Sequence, residues 1–231
     1  MIHAWLTSDL GLLTLTVALF VLAGALYRRV RFALLHPVLI TFLAMIAVLQ
    51  VGNIPYAHYK EATEVMDLLL GLSVVSLGYL LYEQVERLGR NMLPVVISTL
   101  TGCIVGVLSV VWIAAVLGAD RVILNSIAPK SVTVPIAITI SEPLGGVVSI
   151  TSVVVFCVGM FGAVFGPAVL RLGGVKSREA VGFSLGAASH GIGTSRAVEI
   201  GAIEGAMSGL AMALMGVATA LLTPLMEQYL Y

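Results

Sequence analysis

Charge is scarce in this sequence: 12 basic and 12 acidic residues among 231, or 10%, against roughly a quarter in soluble domains. A water-soluble fold cannot cover its surface with so few charged groups. The even balance leaves no overall basic or acidic field, so no nucleic-acid partner is expected. Cysteine is almost absent as well. Cys103 and Cys157 lie far apart in apolar runs, with no CxxC and no His or Cys at metal-ligand spacing, which excludes a disulfide framework and a zinc site; both read as buried thiols. No metal and no cofactor is expected. The start, MIHAWLTSD, lacks the basic stretch and small-residue cleavage site of a secretory signal, so the first apolar run is expected to remain. Long polar segments are missing too, which leaves one transmembrane domain over 1–231 with its function in the membrane.

What is present is apolar: 59% of the residues. A membrane-crossing helix needs about 20 mostly apolar residues. On that ruler six transmembrane helices are expected, at Leu10 to Tyr27, Leu34 to Val51, Val65 to Tyr82, Leu93 to Gly118, Val147 to Leu170 and Gly205 to Met226. Two further stretches, Lys130 to Gly146 and Gly182 to Val198, are apolar but interrupted by Pro, Gly, hydroxyl and charged residues. They are expected to be broken or re-entrant, completing an all-α polytopic membrane protein. Basic residues cluster at Arg28, Arg29 and Arg31, at Arg87 and Arg90, and at Arg171, Lys176 and Arg178. Since basic loops favour the cytoplasm, an outer N-terminus puts the first two groups inside. The third group joins them if the stretch between Arg121 and Val147 makes no net crossing. A 57-residue shift lays Leu72 to Tyr82 over Pro129 to Thr139 and Gly102 over Gly159, a faint repeat relating units near 64–118 and 122–171, as in transporters built from repeats.

The interrupted stretches hold most of the candidate chemistry. In APKSVTVP, Ala128 to Pro135, Pro129 and Pro135 remove backbone donors. Irregular backbone at membrane depth is tolerated only inside protein or along a wet cavity. Lys130, Ser131, Thr133 and Glu142 would give such a cavity a cation, hydroxyls and a carboxylate, with Glu142 a candidate for proton coupling. The competing readings are a snorkelling Lys130, hydroxyls that pack helices and a Glu142 in an interfacial turn. In the second stretch, Gly191 and Gly193 lie close after His190 and permit unwinding. Ionisable groups at that depth mark function: Arg196 can hold a carboxylate with two parallel donors, and His190 can titrate near neutrality and carry a proton. Against this, Arg196 and Glu199 at i, i+3 make a structural bridge, and a lone His can simply bond between helices. No HExxH or GxGxxG is present, so an enzyme is not expected.

The runs APKSVTVPIAITISEPLGG, GAVFGP and LGAASHGIGTSRAVEIGAIEGAMSGLAM resemble the LrgB/CidB family, from about the first span to the C-terminus and most closely over the last hundred residues. The resemblance implies a multi-pass bacterial inner-membrane protein, akin to holin-antiholin-like regulators of murein hydrolase export and to the plastid glycolate/glycerate translocator. It points to Lys130, Ser131, Thr133 and Pro135, and to Ser189, His190, Gly191, Gly193, Thr194 and Arg196. Where relatives carry prolines in the earlier repeat, this chain reads LLGLSVVSLGYLLY. The expected function is secondary transport of small mono-carboxylates such as pyruvate, glycolate, glycerate or lactate. Lys130 and Arg196 would neutralise the carboxylate, Ser131, Thr133, Ser189 and Thr194 would lie along the site, and His190 would couple a proton. A holin-like pore or pore regulator is the alternative. A homodimer and a small LrgA/CidA-like membrane partner are the expected associations.

Overall fold

The computed structural model describes residues 8–30, 35–69, 72, 75–76, 79, 82 and 92–230. It divides into two compact units, Met1–Ser73 and Val74–Tyr231. Nine helices are bounded among the described residues. The first unit holds α1 (Asp9–Val30), α2 (Pro37–Val51) and α3 (Tyr56–Ala62), and residues 64–69 are also helical. Ser8 opens α1 by accepting the Gly11 N–H at 3.2 Å. Pro37 opens α2, where its missing donor is harmless. Leu12, Ile54 and Ala62 form the small core of this unit with Leu49 and Tyr59 against them, and Thr16 bonds the Tyr59 hydroxyl at 3.2 Å.

The second unit holds α4 (Met92–Val116), α5 (Arg121–Ile127), α6 (Val134–Ser141), α7 (Val148–Leu172), α8 (Arg178–Ile200) and α9 (Ala202–Leu230). Its core gathers Cys103, Val107 and Val111 of α4, spaced by four and so on one face, with Leu124, Val132, Ala137, Ile140, Val155 and Met215. The closest helix packing is between α8 and α9. There Gly182 and Gly186, four apart, face the backbone of Glu204 and Ser208, also four apart. With lipid as apolar as Leu, such small-residue seams let helices gain dispersion contact by close approach.

The expected architecture of six transmembrane helices with two broken or re-entrant segments is corrected by this structure. Four described helices are long and apolar enough to cross a membrane: α1, α4, α7 and the Ala202–Gln228 stretch of α9. The expected span Leu34 to Val51 contains only the 15-residue α2, about 22 Å at 1.5 Å per residue against a hydrocarbon core of about 30 Å. Eight residues of the expected span Val65 to Tyr82, Gly78 among them, lie outside the described residues, as do Arg31, Arg87 and Arg90, and the ten described ones are helical. Lys130 to Gly146 is a turn, the eight-residue α6 and a second turn. Pro135 lies in the first turn of α6, where no intrahelical donor is required, so it starts a helix instead of breaking one.

Gly182 to Val198 lies within α8, residues 178–200, which is two helical pieces joined across a kink. Its backbone leaves helical geometry at Ser189 (φ −137°, ψ 17°) and His190 (φ 41°, ψ −136°), not at Gly191 or Gly193. Gly193 serves packing: a Cβ there would press on the Leu185 carbonyl and the Ser189 side chain.

Candidate functional site: a cleft beside Lys130

The site begins with a short stretch that cannot stay helical. Asp120 caps α5 by accepting the Ile123 N–H at 2.9 Å. The chain then turns through Pro129, with Lys130 N–H donating to Ile127 O at 3.1 Å. Polar side chains tie this turn to the rest of the unit. Asn125 Nδ2 donates to Leu144 O at 2.6 Å, Ser126 Oγ accepts the Val147 N–H at 2.7 Å, and Thr151 Oγ1 donates to Ser141 Oγ at 2.9 Å. All four of those side chains are buried, so each bond replaces a hydration that burial removed.

The turn delivers Lys130 and Ser131 to a cavity of about 660 Å³. Lys130 Nζ donates to Ser131 Oγ at 3.1 Å. The other walls come from α4 (Pro94, Val95, Ser98, Gly102, Val105, Gly106), from α8 and the residue before it (Ser177, Glu179, Ala180, Phe183, Ser184, Ala187, Ala188) and from Met207 of α9. Among the described residues Lys130 is the one cation on this wall. Glu179, exposed at the start of α8, receives the Ser177 hydroxyl at 2.7 Å, and that hydrogen bond holds its carboxyl below the usual range. An ammonium at Lys130, with hydroxyls and apolar surface around a space of this size, can hold a small anion by charge and hydrogen bonds.

The remaining expected residues lie elsewhere in the second unit. Thr133 sits at the N-cap position of α6 without capping, and its hydroxyl is buried with no hydrogen-bond partner. Glu142 is exposed at the end of α6. Ser189, 1% exposed, packs its side chain on Gly162. His190, 4% exposed, bonds Val155 O through Nε2 at 2.9 Å and lies over Gly159. Thr194 donates to His190 O at 2.8 Å and bonds Ser208 Oγ at 2.9 Å. Arg196 pairs with Glu199 at 2.7 Å along the same helix, while its Nε is buried without a partner. None of these six lines the cavity.

Sequence reasoning missed several residues. Ser98, Phe183, Ser184 and Met207 line the cavity unannounced. The Gly102, Gly106 spacing of four was a usable sign, since it clears one face of α4. Arg178 was read only for orientation, yet it makes two hydrogen bonds, at 2.8 and 3.0 Å, to Glu204 at the start of α9. Among the described residues no group of three or more His, Cys, Asp or Glu gathers where a metal ion could be held.

Fold and composition together define an all-α membrane protein with several apolar crossings and a small-molecule-sized cavity between its helices. A family profile described as "LrgB-like family" matches residues 16–229. Over 220 residues the chain is 30% identical to the "Holin-like protein CidB" of Staphylococcus epidermidis, covering 95% of this chain and 96% of that one. It is 36% identical over 214 residues to the uncharacterized protein YxaC of Bacillus subtilis, 93% of each chain. An uncharacterized protein of Haemophilus influenzae is 33% identical over 217 residues, 94% of each. No solved structure matches the chain. The chain belongs to the LrgB-like family, and it is a multi-pass inner-membrane protein.

Proposed function

We propose that this chain acts in the inner membrane as a holin-like protein, a pore or a regulator of one, connected with the export of murein hydrolases and with cell lysis. The observation that carries this reading is end-to-end likeness to proteins named holin-like, 30% over 95% of the chain. Assembly as a homodimer, or with a small LrgA/CidA-like membrane protein, belongs to the same proposal.

A second reading, a proton-coupled transporter of small mono-carboxylates, is favoured by one specific observation: Lys130 lines a 660 Å³ cavity beside hydroxyls. An ammonium held in apolar surroundings is costly without an anion to meet it. In this reading Lys130 and Ser131 receive the carboxylate. Arg196, paired with Glu199, and His190, whose Nε2 bonds the Val155 carbonyl, lie off this cavity and join the carboxylate only after a rearrangement. Thr133, whose hydroxyl has no partner, is the next hydroxyl along the turn.

Proteoliposomes separate the two readings. The purified chain is loaded with labelled pyruvate, glycolate and a neutral sugar in turn, with and without a proton gradient, alongside Lys130→Gln, Arg196→Ala and His190→Ala. Leakage of acids and sugar alike, indifferent to all three substitutions, is the holin-like result. Saturable uptake of the acids alone, lost in Lys130→Gln, would sink the pore and establish the transporter.

A further inference from the structure

We propose that the cavity between α4 and α8 is shaped for an elongated amphiphilic carboxylate, an acid head followed by an apolar body such as an arylalkanoate, which it binds more tightly than a two- or three-carbon acid. The inference rests on the carboxylate reading above and extends it from the head of the ligand to its body. The α4 wall runs from Pro94 to Gly106 and the opposing wall from Ser177 to Ala188; at 1.5 Å per residue these are about 18 Å and about 17 Å long.

The cation lies at one end of this groove. A Cβ on Gly106 would stand 3.8 Å from Ser131 Oγ, the atom that Lys130 engages. The α4 wall therefore leads away from Lys130, toward Pro94. Ser177, Glu179 and Ala188 lie on the opposing wall, with the Glu179 carboxylate engaged by Ser177. The groove draws an anionic head to Lys130, the one cation on its walls among the described residues.

Between the two ends the wall is mainly apolar, with Val95, Val105, Phe183 and Met207 and the hydroxyls of Ser98 and Ser184. A volume of 660 Å³ falls within the roughly 300–1,000 Å³ of pockets for drug-sized ligands. A three-carbon acid would leave most of the apolar wall facing water. Each methylene transferred onto that wall strengthens binding about fourfold in the ideal case.

The test is equilibrium dialysis of the full chain in phosphatidylcholine nanodiscs, with empty nanodiscs subtracted. The probes are labelled 3-phenylpropionate, acetate and the neutral 3-phenylpropan-1-ol. Phenylpropionate is expected to bind at least about tenfold more tightly than acetate, and Lys130→Gln to bring it to the level of the alcohol. Ser98→Phe, at an exposed position partway along the α4 wall, is expected to remove phenylpropionate binding and spare acetate; Ser184→Leu serves if that variant does not fold. Equal affinity for acetate and phenylpropionate would overturn the amphiphile and leave the carboxylate reading standing. Binding of neither acid would overturn both. Displacement of phenylpropionate by phosphatidylglycerol in mixed nanodiscs would assign the groove to anionic lipid and overturn the proposal.

Discussion

Replacing Gly186 by Ala tests the seam that joins α8 to α9. A methyl built there meets the backbone of Ser208, with the carbonyl carbon at 2.7 Å, where carbon atoms pack at about 3.5–4.0 Å. The obstacle is main chain, so relief requires the two helices to part by about 1 Å. Overpacking of this kind costs roughly 1–3 kcal/mol, and a backbone obstacle argues for the upper end. Alanine returns about 1 kcal/mol through its better helix propensity, leaving a net loss of about 2 kcal/mol. With about 2–4 °C per kcal/mol for a chain of this size, the midpoint should fall roughly 4–8 °C. The assay is thermal unfolding in detergent followed by fluorescence-detected size exclusion. Gly209→Ala is the control on α9, because a Cβ there meets nothing within 4 Å; it should be neutral or stabilising by up to about 1 kcal/mol. If the two variants melt within a degree of each other, the close approach is refuted.

Other substitutions probe other joints. Arg178→Ala leaves the carboxylate of Glu204, 5% exposed, without its two donors; the melting point should fall, and adding Glu204→Gln should recover part of the loss, because the uncompensated charge is then gone. His190→Gly should be less damaging than His190→Ala by on the order of 1 kcal/mol in the same melt, since glycine adopts a φ of 41° without strain while alanine does not. Ser126→Ala removes the acceptor of the Val147 N–H and should cost about 1–2 kcal/mol, read by thermal unfolding. Ser177→Ala takes away the hydrogen bond that depresses Glu179, so carboxyl-carbon NMR should find its titration moved up. A depressed carboxyl stabilises the fold above its unfolded-state range and ceases to as pH falls through the folded value. The advantage of the unsubstituted chain over Ser177→Ala should therefore shrink on acidification.

Much of the fold was legible because length and apolarity are enough to specify a crossing: α1, α4, α7 and α9 fall on expected spans to within a few residues. The errors lay in where the breaks fall: Pro135 initiates α6. Gly191 and Gly193 stay helical, and the distortion falls on Ser189 and His190, a residue that pattern alone would never place at positive φ. Tertiary packing decides this: Ser189 and His190 reach Gly162 and Gly159 of α7, contacts that a periodicity argument confined to one segment does not contain. The cavity was half legible, since Lys130 and Ser131 were read from their own segment, whereas Ser98, Ser184 and Met207 became its neighbours only when three distant helices met.

Lys130 and Arg196 show why residue type alone did not separate a cavity group from a structural one. As isolated intramembrane cations both call for an anion. Arg196 has one in its own helix, three residues on, where Cβ atoms of helical neighbours lie about 5–6 Å apart, and the 2.7 Å pair with Glu199 needs no tertiary structure to form. Lys130 has no acid within ten residues on either side except Asp120, the cap of α5, and the turn carries its ammonium onto the cavity wall with only a hydroxyl for company. The local supply of counter-charge therefore distinguishes the two. A cation whose own segment satisfies it can be structural anywhere, whereas one whose segment does not is left to meet its anion across the fold or from outside it.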